Sequence, residues 1–150
     1  MAAPAYTWEF VYDLWGDRVP KIATMRATAN LETKVGTLLK SASTRAALAG
    51  DSTASILGLA AEATDGSTDK SADDPMRVYI LAEGMVIRGT ADDDASALQG
   101  LAQKRVDLNA DGTLDVADTT NGCLAVLRAF GTDSKTVDCL VTGFDMGSPR

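Results

Sequence analysis

The sequence predicts a mainly β domain, a small sandwich or barrel, and three observations carry that prediction. Short apolar runs with strand character recur along the chain. Turn signals built from Gly, Pro, Asn and Asp separate them. Much of the remaining composition is Ala, Gly, Ser, Thr and Asp, which suits short strands and many turns. With 150 residues, 45% hydrophobic and 23% charged, the chain fits one globular domain. A domain of this size buries roughly 70% of the surface that its unfolded chain exposes, so a core forms without disulfides or metal.

The elements follow in order. In "YTWEFVYDLW", Tyr6, Trp8, Phe10 and Tyr12 alternate, and Trp15 lies just beyond. Period two predicts a strand with one aromatic face. Two readings stand side by side. One is an ordinary edge strand over the domain's own core. The other is an extended arm, residues 1–20, that reaches over a neighbouring subunit or partner, where Tyr and Trp are enriched. They differ in one consequence: without residues 1–16 an arm-bearing domain stays folded, whereas a domain that has lost a core strand does not. Gly16 and Pro20 punctuate the chain before the main β-rich domain, 21–145.

Strands are expected over about 21–28 and 34–40. The Ala-rich "STRAALAG" predicts a short helix near 43–49, capped by Ser43 or Thr44 and stopped at Gly50. "SILGLAAEA" predicts a buried strand whose small residues let another backbone approach closely. "DGSTDKSADDP" is a polar loop. "RVYIL" and "MVIRG" predict strands around "AEG", and "DDDASALQG" an acidic turn with one helical turn from Asp94. "CLAVLRAF" and "KTVDCLVTGF" predict a final hairpin joined by "GTDS", with a frayed tail over 146–150.

Charge and residue types exclude several classes of function. A net charge of −7 disfavours nucleic acid and anionic membrane surfaces as partners. No apolar run approaches the roughly 18 residues of a membrane span, and the N-terminus lacks the basic and apolar blocks of a signal peptide, so use without Sec export is expected. With no histidine, Ser-His-Asp and Cys-His catalysis and most zinc sites are removed. The aspartate runs at 73–74 and 92–94 read as solvated turns, and "GTLLKS" lacks the Walker spacing, so no enzyme is expected. Cys123 and Cys139 have no metal or redox spacing. Buried free thiols are expected, with a disulfide left open if their strands are hairpin partners.

"VDLNADGTLDVAD" (106–118) carries two alternatives. As a calcium loop it places Asp107, Asn109, Asp111, Thr113 (through its carbonyl), Asp115 and Asp118 at the ligand positions, with Gly112 at the sharp turn. Such a loop makes a calcium-binding adhesion or interaction module. As a hairpin, "RVDLN" and "TLDVAD" alternate around a turn in which Gly supplies positive φ, with the carboxylates on the wet side. The flanks lack the helices of an EF-hand, and the chain holds no second copy of the loop. The hairpin is therefore the reading adopted, with no cofactor expected.

Three segments, "KVGTLLK" (34–40), "ILGLAAEA" (56–63) and "RVYILAEGMVIRG" (77–89), resemble the capsid decoration (cement) proteins of tailed phages, of the β-tulip kind related to the head-decoration protein of phage lambda. The resemblance covers roughly residues 30–142. The aromatic N-terminal segment is this chain's own. The resemblance implies a β-tulip-like fold without an active site. It implies a homotrimer on the outer capsid surface of the virion, made in the host cytoplasm, that binds the major capsid protein and stabilises the expanded head against DNA pressure. With that implication, Tyr6, Trp8, Phe10, Tyr12 and Trp15 are the expected capsid or subunit contacts.

Overall fold

A computed structural model describes residues 3–50, 53, 55–65, 73–100, 105–120 and 122–142. In chain order the strands are β1 (Glu9–Asp13), β2 (Lys21–Arg26), β3 (Leu38–Ala42), β4 (Arg45–Leu48), β5 (Gly58–Ala60), β6 (Pro75–Ile80), β7 (Met85–Thr90), β8 (Asp107–Leu108), β9 (Leu114–Asp115), β10 (Leu124–Phe130) and β11 (Thr136–Val141). They form a four-stranded sheet β1-β7-β11-β10, a five-stranded sheet β2-β6-β5-β3-β4 and the small pair β8-β9. Neighbouring strands in all three pair antiparallel. The domain is thus mainly β and fits a small sandwich.

Two apolar cores explain the runs that do not alternate. The five-stranded sheet curls until its ends meet: Ala27 bridges Ala46, and the Thr28 N–H donates to the Ala46 carbonyl at 3.0 Å. Leu39, Leu57, Ala60, Met76 and Val78 fill the inside of that curl. Leu38 and Leu59 belong instead to the larger core, with Ile87, Leu114, Leu124, Val126, Val137 and Cys139. Adjacent residues of β3 and of β5 therefore face different cores, and strands buried on both faces lose the polar half of their pattern. The close backbone approach expected for "SILGLAAEA" occurs at Gly58, where a Cβ would overlap the Tyr79 carbonyl oxygen of β6.

The helix expected near 43–49 is corrected: residues 45–48 are β4, hairpinned to β3 through Ala42↔Arg45. Ser43 and Thr44 both take positive φ (50° and 68°), the backbone of a two-residue turn matched to strand twist. Burial of Ala46 against the second core outweighs the helical preference of Ala. Helical structure among the described residues is a 3₁₀ turn at Ser96–Leu98, with a second set of tight turns at Thr132–Ser134 in which Asp133 and Ser134 take positive φ (56° and 53°). The first begins two residues later than expected, because the Asp94 carboxylate accepts the Ser96 N–H at 2.8 Å just ahead of it. The strand expected from 34 starts at Leu38, since Lys34–Thr37 is a turn closed by the Thr37 N–H on the Lys34 carbonyl. β6 and β7 occur as expected, but "AEG" carries the chain from one sheet to the other rather than closing a hairpin. The β10–β11 hairpin is present. The tail over 146–150 lies outside the described residues.

Candidate functional site: an apolar rim on the N-terminal segment

Residues 9–13 of the expected arm form β1, the edge strand of the four-stranded sheet. Trp8, just before it, is 3% exposed and belongs to the larger core. Its indole N–H donates to the Gly112 carbonyl at 2.7 Å, its backbone N–H to the Gly36 carbonyl at 2.8 Å. The ring lies against Gly89, where any Cβ would overlap it. Trp8 is therefore an internal anchor, and the expectation that it contacts a partner is corrected.

The single aromatic face expected from period two is split. The β1–β7 register shifts between Phe10, opposite Ile87, and Tyr12, opposite Val86. The extra residue, Val11, inverts the alternation. Phe10 packs on the core, whereas Tyr12 and, further upstream, Tyr6 are exposed. Trp15 is 65% exposed.

The exposed large apolar side chains of the described residues are Tyr6, Tyr12, Leu14, Trp15, Val19, Ile22 and Val35. All lie between residues 6 and 35. Single exposed apolar residues need no explanation; their concentration in one stretch of sequence makes that segment the candidate contact surface. Beside it, Trp8, Phe10, Pro20, Val35, Leu59 and Tyr79 line an apolar groove of about 260 Å³. The sequence reading missed Leu14, Val19, Ile22 and Val35, which no periodicity distinguishes from core positions.

Trp15 is presented by a braced loop. The Asp13 side chain has no exposed surface and accepts two hydrogen bonds from the Arg18 guanidinium, from Nε at 2.7 Å and Nη2 at 3.0 Å. It also accepts the Trp15 and Arg18 backbone N–H groups, both at 3.2 Å. The Arg18 hydrogen bonds, with the two backbone donors, hold the Asp13 carboxyl down at about 2 against the cost of its burial.

On the same sheet, register aligns Glu9, Arg88, Asp138 and Arg128 across β1, β7, β11 and β10. Asp138 is buried and accepts Arg88 Nε at 2.7 Å, Arg88 Nη2 at 3.1 Å and Arg128 Nε at 3.2 Å. Both guanidinium groups lie over the Phe130 ring, 5.0 and 4.1 Å from its centre. The Arg88 hydrogen bonds, aided by the one from Arg128, hold the Asp138 carboxyl below the ordinary range against the cost of its burial. Because these folded-state values are depressed, the stability they contribute is complete above the unfolded Asp value near 4 and is lost as pH falls through the folded values. Thermal melting is expected to be flat from about pH 7 to 4 and to fall between about pH 4 and 2. Asp138→Asn is expected to remove about 1–2 kcal/mol at pH 7, since both arginines reach solvent. A melting curve for Asp138→Asn that matches the parent's at pH 7 would show that the cross-strand row contributes nothing.

The 106–118 segment is a hairpin: Asp107 pairs with Asp115 and Leu108 with Leu114, and Gly112 takes φ +93°. Most groups of the calcium alternative make local hydrogen bonds. The Thr113 carbonyl accepts the Asn109 N–H at 2.8 Å. Asp111 accepts the Thr113 N–H and hydroxyl, Asp115 the Ala117 N–H, and Asp118 the Thr120 N–H. Asn109 donates to Asp92 and to the Thr113 hydroxyl. Asp107 is buried, a correction to the wet side expected for these carboxylates, and it accepts the Leu108 N–H at 2.8 Å. Its strand lies inside the fold, with Val106 bridged to Leu124 and the Asp107 N–H bonded to the Asp118 carbonyl. Among the described residues no three His, Cys, Asp or Glu side chains gather closely enough to hold a metal.

Cys123 and Cys139 are free and buried. Cys139 lies in β11 opposite Val126 of β10, whereas Cys123 sits just ahead of β10, where its carbonyl accepts the Thr142 N–H. Burial pushes the Cys123 thiol up to about 12 and raises Cys139 well above the ordinary range. Ellman's reagent at pH 8 is expected to label neither thiol in the native protein and both after denaturation; rapid native labelling would show that the core opens there.

No model of a known protein family matches the chain, and no curated protein sequence is significantly similar to it.

Proposed function

We propose that the protein is a non-catalytic structural component of a tailed-phage virion, a decoration protein that binds the outer surface of the capsid as a homotrimer and stabilises the expanded head. The observation that carries this reading is the gathering of all the exposed large apolar side chains among the described residues between Tyr6 and Val35. The resemblance of residues 34–40, 56–63 and 77–89 to decoration proteins supplies the partner. Those segments are the Lys34–Thr37 turn with β3, the approach to and exit from β5, and β6 through β7.

The mechanism is burial repeated over several subunits. Each subunit places a few apolar groups, chiefly Tyr12, Leu14, Trp15 and Val19, on the shell. Linked subunits that dock together dissociate far more slowly than one alone. Aromatic anchors carry a disproportionate share of such contacts. The acidic net charge of −7 keeps the free protein soluble and off nucleic acid.

Co-sedimentation with purified heads of a tailed phage whose genome carries the gene tests the proposal. The protein is expected to pellet with expanded heads, to stay in solution with unexpanded ones, and to lose most of its binding in Trp15→Ala at unchanged melting temperature. Equal indifference to both kinds of head, together with a monomeric sedimentation coefficient, would end the proposal.

A further inference from the structure

We infer that Asp13 and Arg18 are positioning residues for docking, which hold the Trp15 indole in one outward orientation before a partner arrives. The inference rests on the docking reading above and adds to it the means by which the anchor is presented.

A tryptophan on a surface loop ordinarily loses rotamer freedom when it binds, and that loss subtracts from affinity. Around Trp15 the backbone is already held. The four hydrogen bonds to Asp13 close residues 13–18 into a tight turn. Arg18 extends the brace to the β6–β7 connection, since its Nη2 also donates to the Glu83 carbonyl at 2.8 Å. The Leu14 N–H donates to the Gly84 carbonyl at 2.8 Å. The indole then rests on Gly84, where a side chain would overlap it, and the Arg18 guanidinium lies 6.0 Å from its centre. A carboxylate with no exposed surface is costly to bury, and this one has both oxygens satisfied. What all this order presents to solvent is an indole flanked by exposed Leu14 and Val19.

The test uses the full chain labelled with 5-fluorotryptophan, which gives one ¹⁹F signal for each of its two tryptophans; Trp15→Phe assigns the exposed one. The Trp15 signal is expected to be single and displaced from that of the free amino acid. In Arg18→Ala it should move toward the free position while the Trp8 signal stays in place. Retention on expanded heads should fall about threefold to tenfold, the size of a lost rotamer restriction. Arg18→Lys, which keeps the charge but not the fork, should lie between. Asp13→Asn should act in the same direction, and Arg18→Ala decides the matter if Asp13→Asn fails to fold. A parent Trp15 signal already at the free position, or an Arg18→Ala protein with an unmoved signal or full retention, overturns the inference. Parent protein that ignores heads while its Trp15 signal is displaced removes the docking reading, and the positioning role with it, but leaves the brace standing.

Discussion

A chain lacking residues 1–16 is expected not to fold. The deletion removes Trp8 from the larger core, strips the edge strand from β7 and takes away Asp13. Truncating a buried Trp to Ala alone typically costs about 3–5 kcal/mol, against a total of about 5–15 kcal/mol for a domain. Trp8 also ties together parts far apart in sequence, the Lys34–Thr37 turn through the Gly36 carbonyl and the 109–113 loop through the Gly112 carbonyl. Trp8→Ala should therefore lower stability by about 4 kcal/mol. Trp8→Phe, which keeps most of the ring and loses the indole N–H, should cost about 1–2 kcal/mol, mainly for the Gly112 carbonyl left without its donor. Urea melts of the three proteins separate these effects. A truncated chain that melts within a few degrees of the parent would restore the arm reading for the whole segment and show that Trp8 adds little to the core.

The fold was legible where local chemistry decides it. "RVYIL" and "MVIRG" carry β-branched residues between turn formers and became β6 and β7. "NADG" places glycine where the backbone requires φ +93°, and the hairpin follows. Illegible parts depend on pairings distant in sequence. Ala46 and Ala47 favour a helix locally, and Ser43-Thr44 is not the Asn-Gly that announces a tight hairpin, yet burial against β2 and β3 decides for a strand. The candidate site shows the same division. The aromatic alternation of 6–12 was visible, whereas the bulge at Val11 that sends Phe10 inward and Tyr12 outward arises from pairing with β7. Trp15 stood out as an aromatic. That it is exposed, and braced by Asp13 and Arg18, follows from Gly84 and Glu83, which belong to another part of the chain.

The second large effect is expected at Gly58. This residue pairs with Leu39 of β3 and Ile80 of β6, in a strand buried on both faces. A methyl group there would overlap the Tyr79 carbonyl oxygen and crowd the Val78 side chain, and neither can retreat. The Tyr79 backbone is bound into the β6 ladder next to Ile22 of β2, and Val78 fills the curl of the five-stranded sheet. Relief requires β5 to leave β6, which opens the seam shared by both cores. Gly58→Ala should consequently cost about 3 kcal/mol, the upper end for overpacking, although alanine is the smallest possible addition. Gly50→Ala is the control. Among the described residues its new methyl would come no nearer than 3.6 Å to another atom, an ordinary contact with Ala110. It should leave stability unchanged or raise it by about 0.5 kcal/mol through the unfolded state. Equal melting temperatures for the two variants would mean that the β5–β6 seam yields to a methyl group, and the two cores would then be mechanically independent rather than joined through one glycine.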